Sequence, residues 1–216
     1  MRNFIYDRYK KFFDLCLRLD IPFLTKFIRD KIYDDCFFKE TNELKLLSAK
    51  KVAEIINAHF TFNSVFDIGC GVGIYIEELK KMGKDVCGCD LSVAGIKSSS
   101  KDLKIFCADI TKPIILSRKY DLVICFEVGE HINKKYSRQL VKNCVNSGDT
   151  ILFTAAPVGQ GGVGHINEQP YDFWINLFGE MNFNYNVALS EEVKRQMKKE
   201  NVVYWIANNF MCFQKC

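Results

Sequence analysis

The sequence predicts an α/β fold built on a doubly wound, largely parallel sheet, and three observations carry that reading. Short apolar runs alternate with helical segments from Ser64 onward. Several of those runs are apolar throughout, the pattern of strands covered on both faces. The 216 residues are 48% hydrophobic and 26% charged, a balance that suits one globular domain with a sizeable core.

From Asn3 to Phe60 the pattern is helical and aromatic-rich. Phe12, Phe13, Leu15 and Cys16 recur at helical spacing, and Leu46, Leu47, Val52, Ile55 and Ile56 line a later helix. Residues 1–60 are therefore read as an N-terminal helical extension, and residues 61–216 as the α/β domain. Val65–Ile68, Val86–Cys89, Ile105–Cys107, Leu122–Phe126 and Thr150–Thr154 read as strands. Ile74–Met82, Val93–Ser99, Ile132–Asn146 and Tyr171–Asn182 read as crossover helices, whereas Thr111–Ser117 is short and proline-broken. Glu191–Glu200 reads as a further helix, and Val202–Phe213 as a long final strand.

No apolar run reaches the ~18–20 residues that span a bilayer. The first residues mix charges and lack an apolar segment ending in a small-residue cleavage site. A cytoplasmic protein without membrane association is expected. The ten cysteines are scattered through predicted helices and strands, which fits a reducing compartment better than a disulfide scaffold. Cys87 and Cys89 share one side of a strand, but no second pair completes a zinc site, so core packing is their expected role. The net charge of +4 is spread among interleaved acidic residues, so charge alone does not imply a nucleic-acid partner.

The segment Val65-Phe66-Asp67-Ile68-Gly69-Cys70-Gly71-Val72-Gly73 puts three glycines at alternate positions between a strand and a helix. Such a turn can wrap closely around a ligand at the strand's carboxyl end. The spacing is G-x-G-x-G, because position 74 is Ile74, which departs from the G-x-G-x-x-G of nicotinamide-dinucleotide enzymes. The next strand ends in Cys89-Asp90-Leu91, where a carboxylate can accept hydrogen bonds from two ribose hydroxyls.

Together, Asp67, the glycine turn and Asp90 resemble the cofactor motif of class I S-adenosylmethionine (SAM) dependent methyltransferases. That resemblance implies a Rossmann-like, seven-stranded sheet, mostly parallel with an antiparallel final strand. It also implies a SAM site formed by Asp67, Gly69, Cys70, Gly71, Gly73, Asp90, Leu91, Asp109, Ile110 and Phe126. Asp109 has two readings, adenine contact or turn capping.

After the fourth strand, Glu127, Glu130 and His131 stand at i, i+3 and i+4, so one helical turn would project all three from a single face. His165 follows the fifth strand in a glycine-rich loop, while His59, on the early helical segment, reads as structural. The E-x-x-E-H pattern resembles that of small-RNA 3′-terminal 2′-O-methyltransferases and of ubiquinone-biosynthesis O-methyltransferases. It implies a catalytic divalent-metal site of Glu127, Glu130, His131 and His165. Two carboxylates and two imidazoles suit Mn²⁺, Fe²⁺, Co²⁺ or Zn²⁺, and Mg²⁺ where abundant. His131 or His165 acting as a lone general base, and the two glutamates acting as caps or surface charges, are the other readings.

Metal assistance favours an acceptor with vicinal hydroxyls: a sugar, a terminal ribose or a catechol-like ring. The stretch His165–Trp174 is polar and aromatic together and resembles segments of glycan-associated methyltransferases, so O-methylation of a sugar or glycan is expected first. Within it, Trp174 reads as core. RNA 2′-O-methylation comes second, since no basic stripe is evident. A non-catalytic SAM-binding module is the reading from a different class.

Overall fold

The computed structural model describes residue 12 and residues 14–20 and 35–216, with no side-chain detail at 35–45 and 47. The helical reading of residues 3–11, of Phe13 and of residues 21–34 lies outside the described residues. Residues 14–19 are helical, as their spacing predicts. A long helix, α1 (Asp35–His59), then leads into the sheet.

The elements that follow are β1 (Ser64–Ile68), α2 (Ile74–Lys81), β2 (Asp85–Asp90), α3 (Val93–Ser98), β3 (Ile105–Cys107), β4 (Leu122–Phe126), α4 (Ser137–Ser147), β5 (Thr150–Thr154), α5 (Tyr171–Gly179), β6 (Phe183–Tyr185), α6 (Val187–Lys199), α7 (Tyr204–Asn209) and β7 (Met211–Lys215). They form one seven-stranded sheet in the order β3-β2-β1-β4-β5-β7-β6. Strands β1 to β5 pair in parallel, and β7 runs antiparallel to both β5 and β6. The expected seven-stranded, mostly parallel architecture is the one observed.

The continuous apolar strands have the expected physical cause. In β4, Leu122, Ile124 and Phe126 face one core while Val123 and Cys125 face the other. The first core is roofed by α1, α2, α6 and α7 through Val52, Ile56, Leu79, Val193 and Ile206. The second is roofed by α4 and α5 through Leu140, Cys144, Trp174 and Phe178. Cys89 is buried in the second core, and Cys87 packs against its edge.

Three readings are corrected. Val202–Phe213 is not one strand but α7 followed by β7, because a short apolar run has no period that separates strand from helix. Ile132–Asn146 is not one helix. The Asn133 side chain accepts from Lys135 N–H and starts a separate 3-10 turn at Lys134–Tyr136, which delays α4 to Ser137. Strand β6, three residues alternating with asparagines, was missed among Tyr171–Asn182 and the tail.

Candidate functional site

Parallel strands deliver their following loops to one edge, and the chain order reverses in this sheet between β1 and β4. That reversal opens a crevice where ligands bind in sheets of this type. Every residue singled out above for the cofactor or for chemistry lies along this edge.

On one side of the crevice, Gly69, Gly71 and Gly73 have φ of 75°, 57° and 80°. At Gly69 a Cβ would lie 2.5 Å from the Val128 side chain, so the turn needs both the left-handed backbone and the missing side chain. Gly71 N–H donates to Asp90 Oδ2 (2.8 Å), and Ser92 N–H donates to Asp90 Oδ1 (2.7 Å). Asp90 thus ties the glycine turn to the end of β2. A carboxylate offers about four acceptor sites, a chemistry suited to sugar hydroxyls as well as to backbone N–H groups.

Leu91 is 43% exposed beside Asp90, as a residue that covers a bound ring must be, whereas Asp67, Cys70, Ile110 and Phe126 are buried. Burial, with Asp67 and Asp90 nearby, holds the Cys70 thiol well above the usual range. Asp109 caps the turn that follows β3. Its carboxylate accepts from Thr111 Oγ1 (2.6 Å) and Thr111 N–H (3.1 Å) and pairs with Lys112 (3.2 Å). Burial alone would raise its pKa, and these bonds outweigh that effect and lower it.

Beyond β4, residues Gly129–His131 form a 3-10 turn, and Glu130 is fully buried. Ile166 N–H and Asn167 N–H donate to the Glu130 carbonyl (2.9 and 3.1 Å), and Asn167 Nδ2 donates to the Gly129 carbonyl (2.9 Å). These bonds staple the loop after β5 to the turn after β4. As a result His131 and His165 meet edge to face, with ring centroids 4.9 Å apart. Glu130, His131 and His165 each offer a ligand atom within 4.8 Å of the others.

Glu127 does not join them. With φ of 55° it sits outside the turn, so the expected single helical face does not form. Its carboxylate instead takes amide bonds from Gln160 Nε2 (3.4 Å) and Asn209 Nδ2 (3.3 Å). The candidate cation group is therefore one carboxylate and two imidazoles, still a donor set that suits Mn²⁺, Fe²⁺, Co²⁺ or Zn²⁺. His59 bonds the Ile55 carbonyl of its own helix (2.9 Å) and takes no part.

Sequence reasoning missed Gln160 and Asn209, and it read Asn167 and Glu168 only as part of the polar, aromatic stretch His165–Trp174 rather than as supports of the site. Gln160, Asn167 and Asn209 act through partners distant in sequence, so no spacing marks them. Tyr171 Oη, for example, donates to Asn209 Oδ1 (2.9 Å). Glu168 stands three residues after His165, a spacing that the loop gave no reason to weigh. Tyr75 was missed too. Its hydroxyl is buried without a hydrogen-bond partner among the described residues, and burial, with Glu127 and Asp67 nearby, pushes its pKa far up. Trp174 is fully buried, as expected, and its ring occupies the space that a Cβ on Gly129 would need.

A model of the "Methyltransferase domain" family matches residues 40–156, from within α1 to just past β5. Among curated proteins, the "Ubiquinone biosynthesis O-methyltransferase" of Paraburkholderia phytofirmans is 31% identical over 126 residues, covering 54% of this chain and 53% of that protein. Its namesake from Nitrosomonas europaea is 30% identical over 128 residues, with 54% and 53% covered. The chain spans about half the length of these curated relatives. Among solved structures, the sugar N-methyltransferase KedS8 from Streptoalloteichus superposes with a TM-score of 0.63 at 12% identity, covering 84% of this chain and 92% of that one. Magnesium protoporphyrin IX methyltransferase from Synechocystis, with bound SAH, gives 0.54 at 18% identity, covering 65% and 74%. At these identities the likeness to solved structures is one of fold.

Proposed function

The chain belongs to the methyltransferase-domain family, and from that premise we propose that it transfers the methyl group of SAM to one hydroxyl of a vicinal diol, with a divalent cation held by Glu130, His131 and His165. The observation that carries this reading is the meeting of those three side chains at the mouth of β4, beside the glycine turn of β1. The O-methyltransferase names of the curated relatives agree with oxygen as the acceptor atom.

A divalent ion bound there would supply acidity, lowering the pKa of a coordinated hydroxyl so that it is nucleophilic at neutral pH. The residues do the rest. Asp90 and the glycine turn hold the ribose and methionine portions of SAM, fixing the methyl group in the crevice. The acceptor hydroxyl gives its proton to solvent water, its oxygen bonds the methyl carbon, and the carbon–sulfur bond breaks with its electron pair passing to sulfur. S-adenosylhomocysteine leaves as a neutral thioether.

A sugar diol is the first acceptor to test, with an RNA terminal ribose second and a catechol-like ring the remaining alternative. The stretch His165–Trp174 supports the sugar less than its composition does, because Asn167 and Trp174 are buried and Tyr171 is bonded to Asn209. The test is transfer of labelled methyl from SAM to a panel of sugar diols, catechols and RNA 3′ ends, with chelator and then with added Mn²⁺ or Mg²⁺. Transfer lost to chelator and restored by metal is the expected result. Full transfer by rigorously metal-free protein would leave His131 or His165 acting as a lone base, and SAM binding without transfer to any diol would favour a non-catalytic module.

A further inference from the structure

Two backbone N–H donors and one histidine ring nitrogen converge on one side chain in the loop between β5 and α5. Gly159 N–H donates to Glu168 Oε2 (2.9 Å) and Gly161 N–H donates to Glu168 Oε1 (2.6 Å). His165 Nδ1 lies 3.0 Å from Glu168 Oε1. Both side chains are largely buried, at 11% exposure for His165 and 18% for Glu168. A carboxylate already receiving backbone N–H groups on both oxygens acts as an acceptor, so the ring nitrogen facing it is the one that carries hydrogen. The other nitrogen, Nε2, then carries the lone pair.

Gly162 bears on that second nitrogen. A Cβ there would lie 2.3 Å from His165 Nε2 and 2.5 Å from Cε1, with φ at 158°. The bare Cα of Gly162 therefore lies close beside the His165 ring, an approach that a side chain at this position would not allow. The same loop places His165 within 4.8 Å reach of Glu130 and His131.

From these contacts we propose that Glu168 is a positioning residue: it fixes His165 as the Nδ1–H tautomer and so leaves Nε2 as the nitrogen whose lone pair can bind a cation shared with Glu130 and His131. The proposal deepens the reading of His165 as a cation ligand and rests on it for its functional meaning. Ligating histidines are commonly held through their other nitrogen in this way, and loss of such a partner typically costs 10–100-fold in metal affinity.

The test begins without metal. Nitrogen-15 correlation spectra of the imidazoles, recorded well above the ordinary histidine pKa of about 6.5, report which ring nitrogen carries hydrogen, and with only three histidines a His165→Gln control assigns the signal. Wild type should show His165 as Nδ1–H, Glu168→Gln should retain that form through its carbonyl oxygen, and Glu168→Ala should lose it. Mn²⁺ affinity should fall about 10–100-fold in Glu168→Ala and recover in part in Glu168→Gln, while SAM affinity, which also reports folding, stays at the wild-type value. Wild-type His165 protonated at Nε2 would overturn the proposal without any variant, as would a Glu168→Ala protein with an unchanged tautomer. An Nδ1–H tautomer in a protein that takes up no Mn²⁺ would sustain the positioning role and sink the cation reading instead.

Discussion

Asp90 combines two tasks, clamping the glycine turn through backbone N–H groups and facing the crevice. Charge-assisted hydrogen bonds contribute about 1.5–3 kcal/mol each, so Asp90→Ala should weaken SAM binding by roughly 10–100-fold by calorimetry, while His165→Ala leaves it unchanged. Equal loss in both variants would contradict the separation of cofactor and acceptor sites. Gly69→Ala forces a side chain into a left-handed backbone and against Val128; a cost of about 1–3 kcal/mol should lower the melting temperature and SAM affinity together. These residues were legible because glycine and aspartate at strand ends have few other uses at that spacing. Glu127 was legible as unusual but not in its role, since its positive φ and its bonds to Gln160 and Asn209 depend on elements far along the chain.

Elements deliver these residues, and the loop between β5 and α5 does so through Asn167. This buried side chain donates to the Gly129 carbonyl and to Ser137 Oγ (3.0 Å). Asn167→Ala leaves buried acceptors unmatched, a cost of about 1–3 kcal/mol, and should raise protease cleavage within 157–170 and weaken Mn²⁺ binding while sparing SAM. Unchanged cleavage would show that other contacts hold the loop. At the opposite edge, Asp121 accepts from Asn63 N–H and Ser64 N–H (both 2.9 Å), joining the starts of β1 and β4, and these bonds, Asn63's first, hold its pKa below the ordinary value. Because the unfolded chain then binds more protons, this contribution is complete above the unfolded value of about 3.9 and is lost as pH falls through the lower folded value. Asp121→Asn should therefore flatten the loss of stability below about pH 4 in denaturant titrations, and an unchanged acid limb would contradict that assignment. Strands β1 to β5 were readable from continuous apolar runs. The α7–β7 boundary was not, because Val202–Phe213 is apolar enough for either state and the packing of Ile206 and Ala207 in the first core, with α7 against α6 and β5, decides it.

At the scale of the molecule, the two cores on either side of the sheet explain the cysteine usage. Cys89, Cys125 and Cys144 are fully buried, and burial raises the thiols of Cys89 and Cys125, whereas Cys107 and Cys216 are exposed. Among the described cysteines, Cys107 and Cys216 should alkylate quickly and those three only on unfolding; fast labelling of Cys125 in native protein would contradict the packing of the second core. Among the described residues no helix is long and apolar enough to cross a membrane. The family match ends at residue 156, so β1 to β5 and the Glu130–His131 turn lie within it and the His165 loop lies beyond. The glycine turn and Asp90 were readable from local sequence, whereas the approach of His165 to Glu130 and His131 shows only in the folded chain. The most direct measurement is calorimetric titration with SAM and then Mn²⁺, comparing wild type with His131→Ala and His165→Ala. The account predicts that all three proteins bind SAM alike and that only wild type binds Mn²⁺ tightly. Absence of SAM binding by wild type, or Mn²⁺ binding undiminished in both variants, would contradict it.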